Sequence, residues 1–277
     1  ALIIIHTYMS KTRLNPKQGL WYPQQPALSK MIQEQYKYQP DDEIKFIIAP
    51  HAGLTYSVET QGAVFSRINL QNYDQIIILG VCHGFSCKSL KQSPFTNWNN
   101  PLDNSLLQIK QTNFAKVQPQ ECSREHSIEL LIPFLSFLMK EQSRNLPLIP
   151  IYCGTDPSRE DLADLKKLQE SRSLLVISSD FCHFGEDFGY VPRQFGQTPE
   201  EAINAVNMRA VAALKKSAEE FRRDLEETGN TVCGRHTIYA GLKVFEKYSA
   251  EQVSYTKSSQ VKSWVQTSVS YVGVVGK

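Results

Sequence analysis

Histidines stand just past the ends of three apolar runs. KFIIAP is followed by His51-Ala52-Gly53, IIILG by Val81-Cys82-His83, and LLVISSD by Phe181-Cys182-His183. Imidazole is the commonest metal ligand and a natural proton carrier near neutral pH. Asp180 adds a carboxylate three residues before the last of these histidines. One histidine at a strand end is more often a hydrogen-bonded structural residue. Three at equivalent points, with Asp180, point to a shared site. Two histidines and one anionic ligand leave open positions on a non-haem iron.

Two further segments carry similar groups. In SREHSIELLIPFL (Ser123–Leu135), Glu125 and His126 lie at the mouth of an apolar helix. They are either part of an N-terminal turn capped by Ser123 and favoured by acidic charge, or a pair that supports the site or faces its substrate. TVCGRHTIYAGL (Thr231–Leu242) puts Cys233, Gly234, Arg235 and His236 just before a helix. A thiol there should gain acidity from the helix dipole and from Arg235. The plainer role for Cys233 is a small buried hydrophobe. The other cysteines, at 82, 87, 122, 153 and 182, form no CxxC pair and read as inert.

These groups can act together only if the fold carries strand ends to one place. Five runs have strand character: Glu43–Pro50, Tyr73–Gly80, Leu146–Gly154, Ser173–Ser179 and Ser268–Gly276. Each is continuously apolar and rich in Ile, Leu or Val, as strands buried on both faces are. Helical patterns lie between them, at Pro26–Tyr36, Ser57–Ile68, Ser127–Lys140, Arg159–Glu170, Pro199–Leu214, Ala218–Glu227 and Thr237–Tyr248. The alternation predicts an α/β fold with a central, mostly parallel or mixed sheet flanked by helices. In such sheets ligands bind beyond the C-terminal strand ends. Gln92–Leu106 is rich in Asn, Pro and Ser and reads as a loop or hairpin. Composition never shifts sharply along the 277 residues, so one domain over 1–277 is expected.

Hydrophobic residues make up 41% and charged residues 21%, the balance of an ordinary water-soluble protein. The net charge is +2, with no basic run of the kind that binds nucleic acid. The N-terminal ALIIIHTYMSKTRL has a short apolar stretch interrupted by His6 and Tyr8; it is too short for a membrane span and lacks the layout of a signal peptide. Isolated cysteines and no span lead to the expectation of a cytoplasmic protein with reduced thiols.

The ordered motifs IIAPHAGLTYS, ILGVCH, REHSIELLIPFL, VISSDFCHFG and TVCGRHTI, with the ending SSQVKSWVQTSVSYVGVV, resemble the Memo family from about Gly19 to Val275. The resemblance implies the fold of the class III extradiol dioxygenases, which are non-haem Fe(II) enzymes. It implies metal ligation by His51, His83 and Cys233, the thiol standing where the dioxygenases use a carboxylate. It also implies an acid/base role for His183, with Asp180 beside it. Fe(II) or Cu is the expected metal, with Zn a third candidate. Trp21, Glu125, His126, Arg235 and His236 are then expected around the ligands or the pocket.

Two departures stand out. KQGLWYP (Lys17–Pro23) has no histidine where the family usually begins with a HAGSWYP-like motif, and His83 is followed by Gly84 where relatives often have a second histidine. Three functions fit these residues. One is a metal-dependent redox enzyme acting on a small molecule. Another is a module that binds phosphotyrosine or another acidic peptide through Arg235, His51 and His183, with Trp21 and Tyr22 as an aromatic wall. The last is a zinc hydrolase. A homodimer is compatible with each.

Overall fold

A computed structural model describes residues 11–277; the N-terminal apolar stretch with His6 and Tyr8 lies outside the described residues. The chain begins β1 (Thr12–Arg13), α1 (Ala27–Gln35), β2 (Phe46–Ala49), α2 (Leu54–Phe65) and β3 (Gln75–Val81). It continues through β4 (Leu90–Gln92), β5 (Asn97–Asn99), β6 (Leu106–Gln108), α3 (Pro119–Arg124), α4 (Ile132–Glu141), β7 (Leu148–Cys153) and α5 (Arg159–Gln169). The last third holds β8 (Ser173–Ser178), β9 (His183–Phe184), α6 (Pro199–Leu214), α7 (Ala218–Thr228), α8 (Arg235–Lys243), β10 (Ala250–Lys257) and β11 (Ser268–Gly276).

The main sheet has the order β10-β11-β2-β8-β3-β7-β4, with β9 paired to β11. β2, β8, β3 and β7 run parallel, while β11, β10 and β4 are antiparallel to their neighbours. The sheet is therefore mixed around a parallel centre, as the apolar runs predict. Their lack of alternation has a direct cause. Ile47, Ile76, Ile78, Leu174 and Val176 point to one face and pack with α1, α2 and α4. Phe46, Ile48, Ile77, Leu79, Leu175 and Ile177 point to the other and pack with α5, α6, α7 and α8. Both faces are dry, so neither parity of the strand tolerates a polar residue.

The Gln92–Leu106 segment forms the hairpin β5–β6, to which β1 adds in parallel. Helices α5 and α6 begin at capping boxes, Ser158 with Asp161 and Thr198 with Glu201. The hydroxyl accepts the third helical N–H while the acid answers the cap's own N–H, which fixes each start. Among the described residues no helix is long and apolar enough to cross a membrane.

Candidate metal centre

β8 lies between β2 and β3, parallel to both, in the registers Ile47↔Val176 and Ile77↔Leu175. The three chains therefore leave the sheet along one edge. β2 delivers His51, β3 delivers His83, and β8 delivers Asp180 and His183. All four side chains line one cleft of about 540 Å³, together with Leu20, Trp21, Gly53, Thr55, Tyr56 and His126.

His51 is 2% exposed and its orientation is determined on both sides. The Ser178 hydroxyl donates to the Ser127 carbonyl at 2.5 Å, so it accepts from His51 Nδ1 at 2.7 Å. Nε2 is then the unprotonated nitrogen, and it lies 3.3 Å from Cys233 Sγ. His83 is held in the same sense. Its Nδ1 donates to Glu125 Oε1 at 2.9 Å, and its backbone N–H donates to Glu125 Oε2 at 2.7 Å. Glu125 also accepts the N–H groups of His126 and Ser127. A ring whose Nδ1–H is anchored on a protein acceptor presents Nε2 as a ligand, the usual preparation of a metal-binding histidine.

Cys233 comes from the turn before α8, which packs hard against the end of β8. A Cβ at Gly234 would stand 2.4 Å from Ser179 Cβ and 2.7 Å from the Ser178 carbonyl, so only glycine lets the turn reach this deep. The Asp180 N–H donates to Cys233 Sγ at 3.2 Å, and Asp180 Oδ1 accepts the His51 N–H at 2.8 Å. One ligand atom each from His51, His83 and Cys233 lies within 4.8 Å of the other two. Donors at bonds of 2.0–2.3 Å from one ion stand roughly 3–4 Å apart, so a slight contraction suffices. The donor chemistry also fits. Two imidazoles and a thiol suit Fe, Cu or Zn and disfavour Mg and Ca. His83, Glu125 and His126 form a second group within the same limit, sharing His83.

The electrostatics keep His51 and His126 uncharged. Burial, followed by the neighbouring His83 and His126, holds His51 well below its ordinary range. His126 stacks on His83 with centroids 4.5 Å apart and is lowered to about 4, mainly by burial. Burial would raise Glu125, but the His83 hydrogen bond and charge and the Ser127 N–H hold it well below the carboxylate range. Between about pH 4 and 6.5 the unfolded chain therefore binds protons at His126 that the folded one refuses. Stability of the metal-free protein should be full above pH 6.5 and fall as the pH drops towards 4. Urea midpoints at pH 7, 5.5 and 4.5 measure this; an unchanged midpoint would contradict it.

The whole-chain comparison decides the family. A family model described as Memo-like protein matches residues 13–275. This chain belongs to the Memo-like family. The protein memo-1 homolog of Caenorhabditis elegans is 28% identical over 83% of this chain and 71% of its own length. A MEMO1 family protein of Schizosaccharomyces pombe is 27% identical over 91% of this chain and 95% of its own. Protein MEMO1 of Homo sapiens is 28% identical over 81% and 82%.

Other expected site residues of this Memo-like chain divide into two groups. Trp21 lines the cleft and packs on His126 at 4.4 Å between centroids, and its carbonyl accepts the Leu54 N–H at the start of α2. Arg235 and His236 are corrections. Arg235 donates to the Val232 and Asn230 carbonyls, and His236 Nδ1 pairs with Asp156 at 2.8 Å. Both line a separate small cavity with Arg222 and Tyr239, because the first turn of α8 rotates them away from Cys233. The expected acidity of Cys233 also fails in the metal-free protein. Burial and then the Asp180 charge push the thiol up, and Arg235 points elsewhere. Ser123 is no N-cap; it lies in the last turn of α3, and α4 starts only at Ile132. Tyr22 is no cleft wall, being 2% exposed and bonded to Glu129.

Sequence reasoning missed Tyr56, Thr55 and Leu20 at the cleft mouth, and Ser178 as the anchor of His51. The usable signal for Tyr56 and Thr55 was their place directly after His51-Ala52-Gly53, where a helix must start at the rim.

Proposed function

We propose that the cleft is a metal-dependent redox site acting on a small molecule, with Fe(II) or Cu held by His51, His83 and Cys233. The observation that carries this reading is the meeting of two Nε2-presenting imidazoles and a thiol within 4.8 Å. The metal, when bound, supplies a Lewis acid and a one-electron couple. Binding would also hold Cys233 as thiolate. The site is dioxygenase-like in this reading, with the thiol in the place of a carboxylate.

The chain's own groups have distinct tasks. Ser178 and Glu125 orient the two histidines. His183 Nδ1 donates to the Phe181 carbonyl at 2.9 Å or the Thr231 carbonyl at 3.1 Å, so its Nε2 is free to take a proton at the cleft wall. Phe188 packs on the ring and fixes its tilt. Asp180 is raised to about 6 by burial, against the pull of His183, and is a second proton holder. Leu20, Trp21 and Tyr56 form an apolar mouth; Leu20 and Tyr56 remain 79% and 55% exposed, which suits closure over an apolar substrate.

Zinc would fit the same donors and would turn the site towards hydrolysis. The phosphotyrosine-peptide reading is weaker. Among the described residues no lysine or arginine lines the cleft, and His51 and His126 are held neutral. A cytoplasmic setting completes the proposal, since all six thiols are unpaired.

The test is metal content by mass spectrometry on untagged protein purified anaerobically, for the parent and His51→Ala. Stoichiometric iron or copper in the parent, lost in the variant, is expected. Parent protein that stays metal-free after reconstitution would overturn the reading. His183→Gln should keep the metal while slowing reductant-driven oxygen uptake by about 10²–10⁴-fold, the range for removing a general acid or base. Loss of the metal in that variant would make His183 a ligand instead.

A further inference from the structure

Behind the cleft a polar side chain occupies a core position of α2. The buried residues of this helix include Leu54, Ser57, Gln61, Val64 and Phe65, the three-and-four spacing of a stripe that faces the core. Such a stripe calls for an apolar residue at 61, yet Gln61 is fully buried there. Its Nε2 donates to the Pro50 carbonyl at 2.9 Å and to the Leu130 carbonyl at 3.2 Å, with the Ser57 hydroxyl oxygen 3.4 Å away. Carbonyls only accept, so these two partners fix which end of the amide is nitrogen. The amide oxygen at the other end is buried with no hydrogen-bond partner among the described residues. A buried acceptor left unpaired is destabilising. Gln61 thus leaves its oxygen unmet while its N–H groups stay on two segments of the site.

Those segments serve both histidines. Pro50 and His51 share one peptide unit. Gln61 holds its oxygen and Asp180 Oδ1 accepts its N–H at 2.8 Å, so the plane from which His51 departs is fixed at both ends. Leu130 follows the turn that supplies Glu125, the anchor of His83, and Ser127, whose carbonyl orients the Ser178 hydroxyl beside His51. One carboxamide therefore ties the exit of β2 to the segment that aims both imidazole rings, whose centroids are 5.1 Å apart.

We propose that Gln61 is a positioning residue of the metal centre. It acts through backbone carbonyls and not on a ligand atom. By bracing the Pro50–His51 peptide unit against the Glu125–Leu130 segment, it sets the separation and mutual orientation of His51 and His83. Without its two N–H groups the peptide plane before His51 is free to turn, and the two Nε2 atoms lose their common aim. The role rests on the reading that His51, His83 and Cys233 hold an ion.

The experiment compares the parent with Gln61→Met, Gln61→Leu and Thr60→Val. The first two variants replace the amide by an apolar group of similar bulk. Thr60 is the control: it is buried beside Gln61 on the same helix, but its hydroxyl bonds to Ser254 and Thr256 of β10. Urea midpoints establish that each variant is folded. Zinc affinity is measured anaerobically by competition with a chromophoric chelator, and the thiolate-to-metal absorption band is recorded on the cobalt(II) form. Both Gln61 variants should bind zinc about 10–100-fold more weakly, the range for losing a group that supports a ligand. Their cobalt band should be displaced. Thr60→Val should keep both metal readouts at parent values, whatever it loses in urea midpoint. Parent-like zinc affinity or a parent-like cobalt band in a folded Gln61 variant overturns the role. Equal weakening in Thr60→Val also overturns it, because the effect is then one of general stability. A parent that takes up neither zinc nor cobalt overturns the metal reading and the role with it, whereas a parent that binds alongside unchanged Gln61 variants overturns the role alone.

Discussion

Cys233→Ser should lose at least 100-fold in affinity for iron or copper while keeping its fold. The hydroxyl is close to the thiol in size, and Gly234, which permits the close approach to Ser179, is untouched. A neutral hydroxyl is a poor ligand for soft metals, and thiolate contributes both charge and covalency. Ser178→Ala gives the graded comparison. It leaves all three donors in place but frees His51 Nδ1, which the 2.7 Å bond to Ser178 otherwise anchors. Removing such an anchor typically costs 10–100-fold in metal affinity. Reconstitution followed by elemental analysis separates these cases. Full metal content in Cys233→Ser would remove the sulfur from the centre. It would shift the site to His83, Glu125 and His126, the other group with converging ligand atoms.

Arg13→Ala should destabilise the protein by about 3–5 kcal/mol, the range for breaking a buried ion pair from one side. Arg13 and Glu129 are both fully buried and 3.0 Å apart. Arg13 also donates to the Cys122 and Glu125 carbonyls, while Glu129 accepts the Lys17 N–H and the Tyr22 hydroxyl. Without the guanidinium, Glu129 is left desolvated, a condition that already raises its pKa in the intact protein. The effect should reach the cleft, since the segment so pinned carries Leu20 and Trp21 and the Glu125 carbonyl belongs to the His83 anchor. Urea denaturation checks the stability. Pairing Arg13→Met with Glu129→Leu should recover much of the loss, because the stranded charge is then removed as well. Equal loss in the single and double variants would mean that the fork to the carbonyls, and not the ion pair, is what holds the segment.

The centre of the sheet was legible because both faces of β2, β3, β7 and β8 are buried, leaving continuous apolar runs. β10 was not. Ala250–Lys257 is an edge strand with partly exposed residues along most of its length and no apolar run to betray it. The histidines after β2, β3 and β8 could be grouped from strand-end position alone, because parallel neighbours share an exit edge. Arg235 and His236 could not be placed that way. Beside Cys233 in sequence, they enter a helix, where each residue turns about 100° from the last. Arg13 was invisible for a different reason. The partners that account for its burial, Cys122, Glu125 and Glu129, lie more than a hundred residues away, and nothing local distinguishes a basic residue that will be buried from one that will not.

The three donors come from positions 51, 83 and 233, and no pair of them shares a secondary-structure element. A chain emerging from synthesis holds its first two donors early, but the third arrives only after β8 is seated between β2 and β3 and α8 has docked on it. Loop-closure entropy must be met across most of the polypeptide before the cluster exists. A nascent or partly unfolded copy therefore offers single histidines and thiols rather than an assembled chelate. If the cluster holds an ion as proposed, loading would be tied to completion of folding, and local melting of the α8 turn would release the ion in one step.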